Sequence, residues 1–127
     1  MILYKNSFLT ILLIITLTSC YKQEKNCTDF KTGKFEFSQE IDGKKQTSTF
    51  ERIGKFQIET YNGKIDTATV RWVNDCEFIL QKTKPKNIQE KKAISMKILT
   101  TTAKTYTFEY SFVGDTKIQR GIVTKID

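Results

Sequence analysis

The chain has no histidine, a single proline and a single tryptophan in 127 residues. Without histidine there is no Ser-His-Asp or Cys-His nucleophile and no imidazole-based zinc or iron site. Neither G-x-x-x-x-G-K-[ST] nor G-x-G-x-x-G occurs, so the backbone loops that cradle phosphates are missing. Only three cysteines are present, too few without histidine to supply four zinc ligands. Long apolar runs are equally scarce. The one candidate spans Phe8 to Leu17, about half of the roughly 20 residues needed to cross a bilayer.

That run belongs to "MILYKNSFLTILLIITLTSC", where Lys5 precedes the apolar stretch and Thr18 and Ser19 precede Cys20. A basic start, a short apolar middle and small residues at the end describe a secretory signal peptide. The close, Leu17-Thr18-Ser19-Cys20, resembles the lipobox of bacterial lipoproteins, with Ser rather than Gly or Ala before the cysteine. The resemblance implies cleavage before Cys20 and acylation of Cys20 on both its thiol and its amine. Several acyl chains make anchoring effectively stable, whereas one alone holds marginally. A plain signal peptide or a membrane helix with a chance cysteine is the alternative.

Removal of residues 1–19 leaves 108, enough for one domain with a modest core. The expected organisation is a signal peptide over 1–19, a lipidated tether over 20–29 and a single β-barrel-like domain over 30–127. Loss of Lys5 takes the basic count from 21 to 20 against 14 acids, a formal charge of about +6. These charges are interspersed, as in "KQEKN" and "IQEKKA", which describes a solvated surface with some attraction for anionic partners. Export argues against nucleic acid as a partner. Cys27 and Cys76 remain as an even pair in an oxidising compartment, where a disulfide is the default and two buried thiols the alternative.

From residue 30 the chain reads as strand after strand. "KFEFSQEI" sets Phe35, Phe37 and Ile41 in one phase; Asp42-Gly43 and Asn62-Gly63 are type I′ hairpin signals. Phe56 and Ile58 share a phase, as do Val70 and Trp72, then Cys76, Phe78 and Leu80, then Ile94, Met96 and Ile98. "KTYTFEYSFV" has the clearest period of two, with Tyr106, Phe108, Tyr110 and Phe112 on one side. Glu36, Glu51, Glu59 and Glu109 fall opposite the apolar phase and are expected outward. "QKTKPKNIQEKKA", around Pro85, is too charged for a core strand and reads as a long loop with at most a turn of helix. About eight strands at ten-residue spacing predict an all-β antiparallel up-and-down meander closed, wholly or partly, into a lipocalin-like or calycin-like barrel. A helix-backed sheet is the second choice.

The runs "CTDFKTGKFEF", "RWVNDCEFIL" and "MKILTTTAKTYTFEYSFVGDTKIQRG" resemble a group of small lipoproteins from Bacteroidetes-type bacteria. That group has no established activity, so the resemblance implies a location and a fold. The label DNA topoisomerase IV that some members carry conflicts with this chain's size, its lack of a nucleotide loop and its export signal.

Chemistry is sparse. Asp75 and Glu77 in "NDCE" alternate to one face and offer the only acid–base pairing worth naming, for a hydrolase; solvated strand-end charges explain them equally. Arg120 shares its phase with Ile118 and Ile122, so a regular strand would point it inward. An inward arginine on a late strand is how fatty-acid-binding and lipocalin-like barrels hold an anionic headgroup, with Tyr106 and Tyr110 as hydrogen-bonding neighbours. A bulge at Gly121 would instead leave Arg120 in water, and an internal acid could also pair with it. The leading expectation is a monomeric, non-enzymatic envelope lipoprotein without cofactor or metal. It would bind a small apolar or anionic ligand or an envelope protein, from the periplasmic side of the outer membrane. The alternative is a structural or inhibitory interaction module with a filled core.

Overall fold

A computed structural model describes residues 25–127. The expected signal segment and the lipid-bearing Cys20 lie outside the described residues. Eight strands follow a short 3₁₀ turn at Cys27–Phe30: β1 Gly33–Ile41, β2 Lys44–Ile53, β3 Phe56–Tyr61, β4 Lys64–Asn74, β5 Glu77–Lys82, β6 Ile94–Thr101, β7 Thr105–Phe112 and β8 Gln119–Lys125. Each pairs antiparallel with the next, and β8 returns to β1 through Phe35↔Lys125 and Phe37↔Val123. The result is a closed, up-and-down barrel, neither half-open nor backed by a helix.

Local sequence accounts for the turns. Asp42 and Gly43 both take positive φ, as do Asn62 and Gly63, which is the geometry of a type I′ turn and matches the twist of the strands it joins. The charged segment around Pro85 forms the longest connection, with one turn of helix, α1, at Ile88–Lys91. Asn87 caps it by accepting from the Glu90 backbone N–H at 2.8 Å.

Alternation sets the core. Phe35, Phe50, Val70, Phe78, Leu80, Met96, Ile98, Tyr106, Phe108 and Val123 are buried inside the barrel. Two strands run in the opposite phase to the sequence expectation. In β3 the apolar Phe56 is exposed, while Gln57 is buried and Glu59 lies opposite the inward Phe50. In β8, Arg120 and Ile122 face out, as does Ile118 just before it, and Gly121 and Val123 face in. No bulge is responsible in β8, because its pairing with β7 is unbroken from Thr124 to Gln119. The reason is space: a Cβ at Gly121 would sit 2.9 Å from the rings of both Phe108 and Phe37, so the inner wall there accepts glycine alone.

The 3₁₀ turn plugs one end. Cys27 and Phe30 are fully buried, so the packed unit reaches back into the segment expected as a tether. Cys27 is disulfide-bonded to Cys76 in the β4–β5 turn, with Cα atoms 5.2 Å apart. Beside it Lys31 forms an ion pair with Asp75 at 2.9 Å and lies over the Trp72 ring. Lys125 donates to the Asp29 carbonyl at 2.8 Å, and the Asn26 N–H donates to Thr101 Oγ1 at 2.9 Å. The plug is thus held by four different strands or turns. Because the disulfide separates residues 49 apart in sequence, replacing Cys27 and Cys76 by alanine should cost about 4 kcal/mol on the chain-entropy model. Urea unfolding of the oxidised, reduced and double-alanine proteins would measure it; equal midpoints for all three would contradict the plug's role.

Candidate functional site

The interior divides into two halves. At the plugged end the chain spends its bulkiest side chains: Phe30, Phe35, Phe50, Phe78 and Tyr106 pack ring against ring, with Phe35 stacked on Phe50 at 5.0 Å and Phe30 edge-on to Tyr106 at 5.1 Å. In their midst lies Arg52, 2 % exposed. Its Nε donates to Gln57 Oε1 at 3.0 Å, one Nη to the Phe30 carbonyl at 2.8 Å and the other to the Tyr106 hydroxyl at 2.7 Å. The guanidinium carbon is within 6.0 Å of the ring centres of Phe35, Phe50, Trp72, Phe78 and Tyr106. No carboxylate among the described residues pairs with it. Burying a cation costs several kcal/mol. Here neutral oxygens and π-faces offset that cost. Burial pushes the Tyr106 phenol above its ordinary range, with the neighbouring cation opposing it.

The other half is hollow. An inner cavity of about 150 Å³ sits above Arg52, walled by Phe50, Leu80, Ile94, Met96, Phe108 and Val123. A second, of about 240 Å³, lies nearer the rim among Asp66, Ala68, Lys82, Glu90, Lys92 and Phe112. Gln57, Glu59, Leu80 and Ile94 border both, so the two adjoin. The rim carries an ordered charge cluster. Lys82 bridges Asp66 at 2.9 Å and Glu90 at 2.8 Å. Burial would lower its ammonium, but those two carboxylates outweigh that and hold it above the ordinary value. Glu90 is held below its ordinary value by Lys82 and by the Lys86 N–H that it accepts at 2.8 Å. Glu59 makes no hydrogen bond or ion pair among the described residues. Burial and the nearby Asp66 raise its carboxyl above the usual range, with Lys82 opposing. The residue is solvent-accessible and borders both cavities.

The expected site residues part company. Tyr106 is inward, 1 % exposed, and does bond an arginine, but that arginine is Arg52. Arg120, expected inward as an anion holder, is a surface residue with its side chain 74 % exposed, facing Glu109 at 3.6 Å. Tyr110 borders the inner cavity and donates its hydroxyl proton to Gln119. Asp75 and Glu77 are not paired with each other: Asp75 bonds Lys31, and Glu77 faces Lys97 at 3.9 Å, both outside the lumen. Among the described residues no three Cys, Asp or Glu side chains converge as metal ligands would. Sequence reasoning missed Arg52 and Glu59. The signal for Arg52 was its phase, two residues from Phe50, and for Glu59 its pairing opposite the same phenylalanine.

No family model, curated protein or solved structure matches this chain. The strand count and up-and-down order are those that lipocalin barrels also have.

The two arginines should behave oppositely on substitution. Arg52→Ala leaves a cavity and orphans three acceptors, a loss of roughly 3 kcal/mol or more, whereas Arg120→Ala should stay within about 0.5 kcal/mol. Denaturant titration of both variants checks this. For Glu59 the raised folded value means that the native state binds its proton more tightly than the unfolded chain. Its contribution therefore falls as pH rises from the ordinary carboxylate range, about 4.3, through that raised value. Glu59→Gln should accordingly be more stable than the parent at pH 7, with the gain vanishing below about pH 4. Melting curves across that range would reveal the opposite sign if Glu59 were stabilised by a partner.

Proposed function

We propose that this chain is an envelope lipoprotein, anchored through acyl chains on Cys20, whose barrel binds a small ligand in its hollow half. The observation that carries the reading is the pair of adjoining cavities above a sealed floor. A barrel used only as a scaffold for protein contacts would fill that space, as the plugged half does, because unfilled apolar volume is destabilising. Ligand sites combine apolar walls with a few polar groups, and Leu80, Ile94, Met96 and Phe108 with Glu59, Gln57 and Tyr110 have that composition. The reading is non-enzymatic: Asp75 and Glu77, the residues with the best sequence case for catalysis, each face a lysine away from the cavity.

The lipobox-like Leu17-Thr18-Ser19-Cys20 and the Cys27–Cys76 disulfide support an exported, anchored protein. The chain enters the barrel at its plugged end, seven residues after Cys20, so the mouth would point away from the anchoring membrane. On this reading the protein is a monomer on the periplasmic face of the outer membrane, and the short "YKQEK" after Cys20 lacks an acidic cluster that would suit surface export.

Two measurements test the proposal. Intact-mass analysis of protein from its own membrane should find residues 1–19 removed and the acyl mass on Cys20; an unmodified Cys20 would overturn the anchor. Native mass spectrometry of the same material should find a co-purifying small molecule that Ala68→Trp, which fills the outer cavity, excludes. A persistently empty barrel would sink the ligand reading.

A further inference from the structure

The cavity pair has a chemical polarity that narrows the ligand class, and the argument rests on the ligand-binding reading above. The inner cavity, about 150 Å³, is the size at which an apolar protein cavity takes up a benzene molecule. Its walls include the rings of Phe37, Phe50 and Phe108 and the chains of Met96 and Val123. Arg52 also lines this cavity, with three of its five N–H donors given to Gln57, Phe30 and Tyr106. At the junction of the inner and outer cavities stands Glu59, common to both linings.

In the outer cavity acids outnumber bases, while Arg52 lines the inner cavity and Lys64, Lys84 and Lys86 line a neighbouring cleft that Glu59 and Asp66 also border. Glu59, Asp66 and Glu90 border the outer cavity against Lys82 and Lys92. Lys82 is spent on Asp66 and Glu90, and Lys92 reaches away to Asp115 at 3.6 Å. Glu59 is left facing the lumen with burial already acting against its charged form. A carboxylate in that position is stabilised by a cation delivered next to it, and the apolar chamber one layer deeper accepts that cation's hydrophobic body.

We propose that the barrel binds a small aryl or alkyl amine as its ammonium form, the apolar group in the inner cavity and the ammonium at Glu59. This reverses the anionic preference expected from an inward Arg120. No covalent step is involved. Recognition consists of one charge-assisted hydrogen bond at the junction and burial of an apolar body of about one ring.

The test uses three probes of one shape: 2-phenylethylamine, 2-phenylethanol and 3-phenylpropionate. Each is titrated by calorimetry into the full chain in a bulky sterol-type detergent that cannot enter the lumen. The amine should bind at least about tenfold tighter than the alcohol, and the acid weakest. Glu59→Gln should erase the amine's advantage and leave the alcohol unchanged. Lowering the pH should do the same in the parent protein. Asp66, Glu90, Arg52, Lys82, Lys92 and Tyr110 also line the two cavities, and Tyr61, Lys64, Lys84 and Lys86 a cleft beside Glu59. The cations and phenols do not titrate in the acid range and Lys82 holds Glu90 low, so loss of amine binding that begins above the ordinary carboxylate range identifies Glu59. That pH arm stands even if the variant fails to fold. Equal binding of all three probes, or tightest binding of the acid, would overturn the amine assignment while leaving a ligand-binding barrel. No binding by any probe at millimolar concentration would overturn both.

Discussion

A guanidinium with no counter-ion, sealed inside a barrel, is the constraint around which the rest of this structure is arranged. Arg52 is inward because it shares the phase of Phe50 on β2. Once inward, its donors must be met, since an unsatisfied buried donor costs about 1–3 kcal/mol. Gln57 meets one from β3, Tyr106 another from β7, and the carbonyl of Phe30 a third from the plug. Three segments distant in sequence are thereby tied to one side chain. The rings that surround it serve twice, as apolar filling and as π-faces for the cation.

The same constraint explains the phase of β3. Read alone, "KFQIETY" places Phe56 and Ile58 on the apolar side, and that side would be chosen for burial. Tertiary register overrides the pattern: Gln57 must stand opposite Arg52, so Phe56 and Ile58 turn outward and Glu59 is carried into the lumen. A strand with six residues cannot bury one of its ends in each phase. The inward carboxylate at the cavity junction is therefore a geometric consequence of satisfying a cation one layer below.

Much of this barrel was legible from residues alone, for reasons that can be named. Tyr106, Phe108, Tyr110 and Phe112 alternate without ambiguity, the Asp42-Gly43 and Asn62-Gly63 turns fix two hairpins, and an even cysteine pair in an exported chain gives the disulfide. Export was the expectation behind that pairing, and the disulfide is what the fold shows. What was not legible depends on contacts across the barrel. In β8 the isoleucines 118 and 122 look like the core face, and only the rings of Phe37 and Phe108, brought there by other strands, show that Gly121 occupies it. Arg120 and Arg52 look alike in sequence, each two residues from an apolar neighbour. Their fates differ because one strand has aromatic partners and acceptors waiting inside, and the other has a glycine-sized gap.

Gln57 keeps the two interior charges apart. A glutamate there would neutralise Arg52 directly; the amide instead satisfies the Nε–H and remains uncharged, so the charge of Arg52 is left uncompensated. Glu59, two residues on in β3, lines the same inner cavity as Arg52 without pairing with it. The barrel thus has a cation locked in its floor by neutral groups and a carboxylate open at the waist of its cavity. In a chain with formal charge +7, the outer cavity nonetheless has three acids, Glu59, Asp66 and Glu90, against two lysines. Long-range attraction to anions acts on the outside of such a molecule, whereas selection inside the lumen acts at a few ångströms in a low-dielectric setting and is much the stronger. On the proposed ligand-binding reading, the charges lining the cavity, more than those of the surface, would set which solutes the barrel retains.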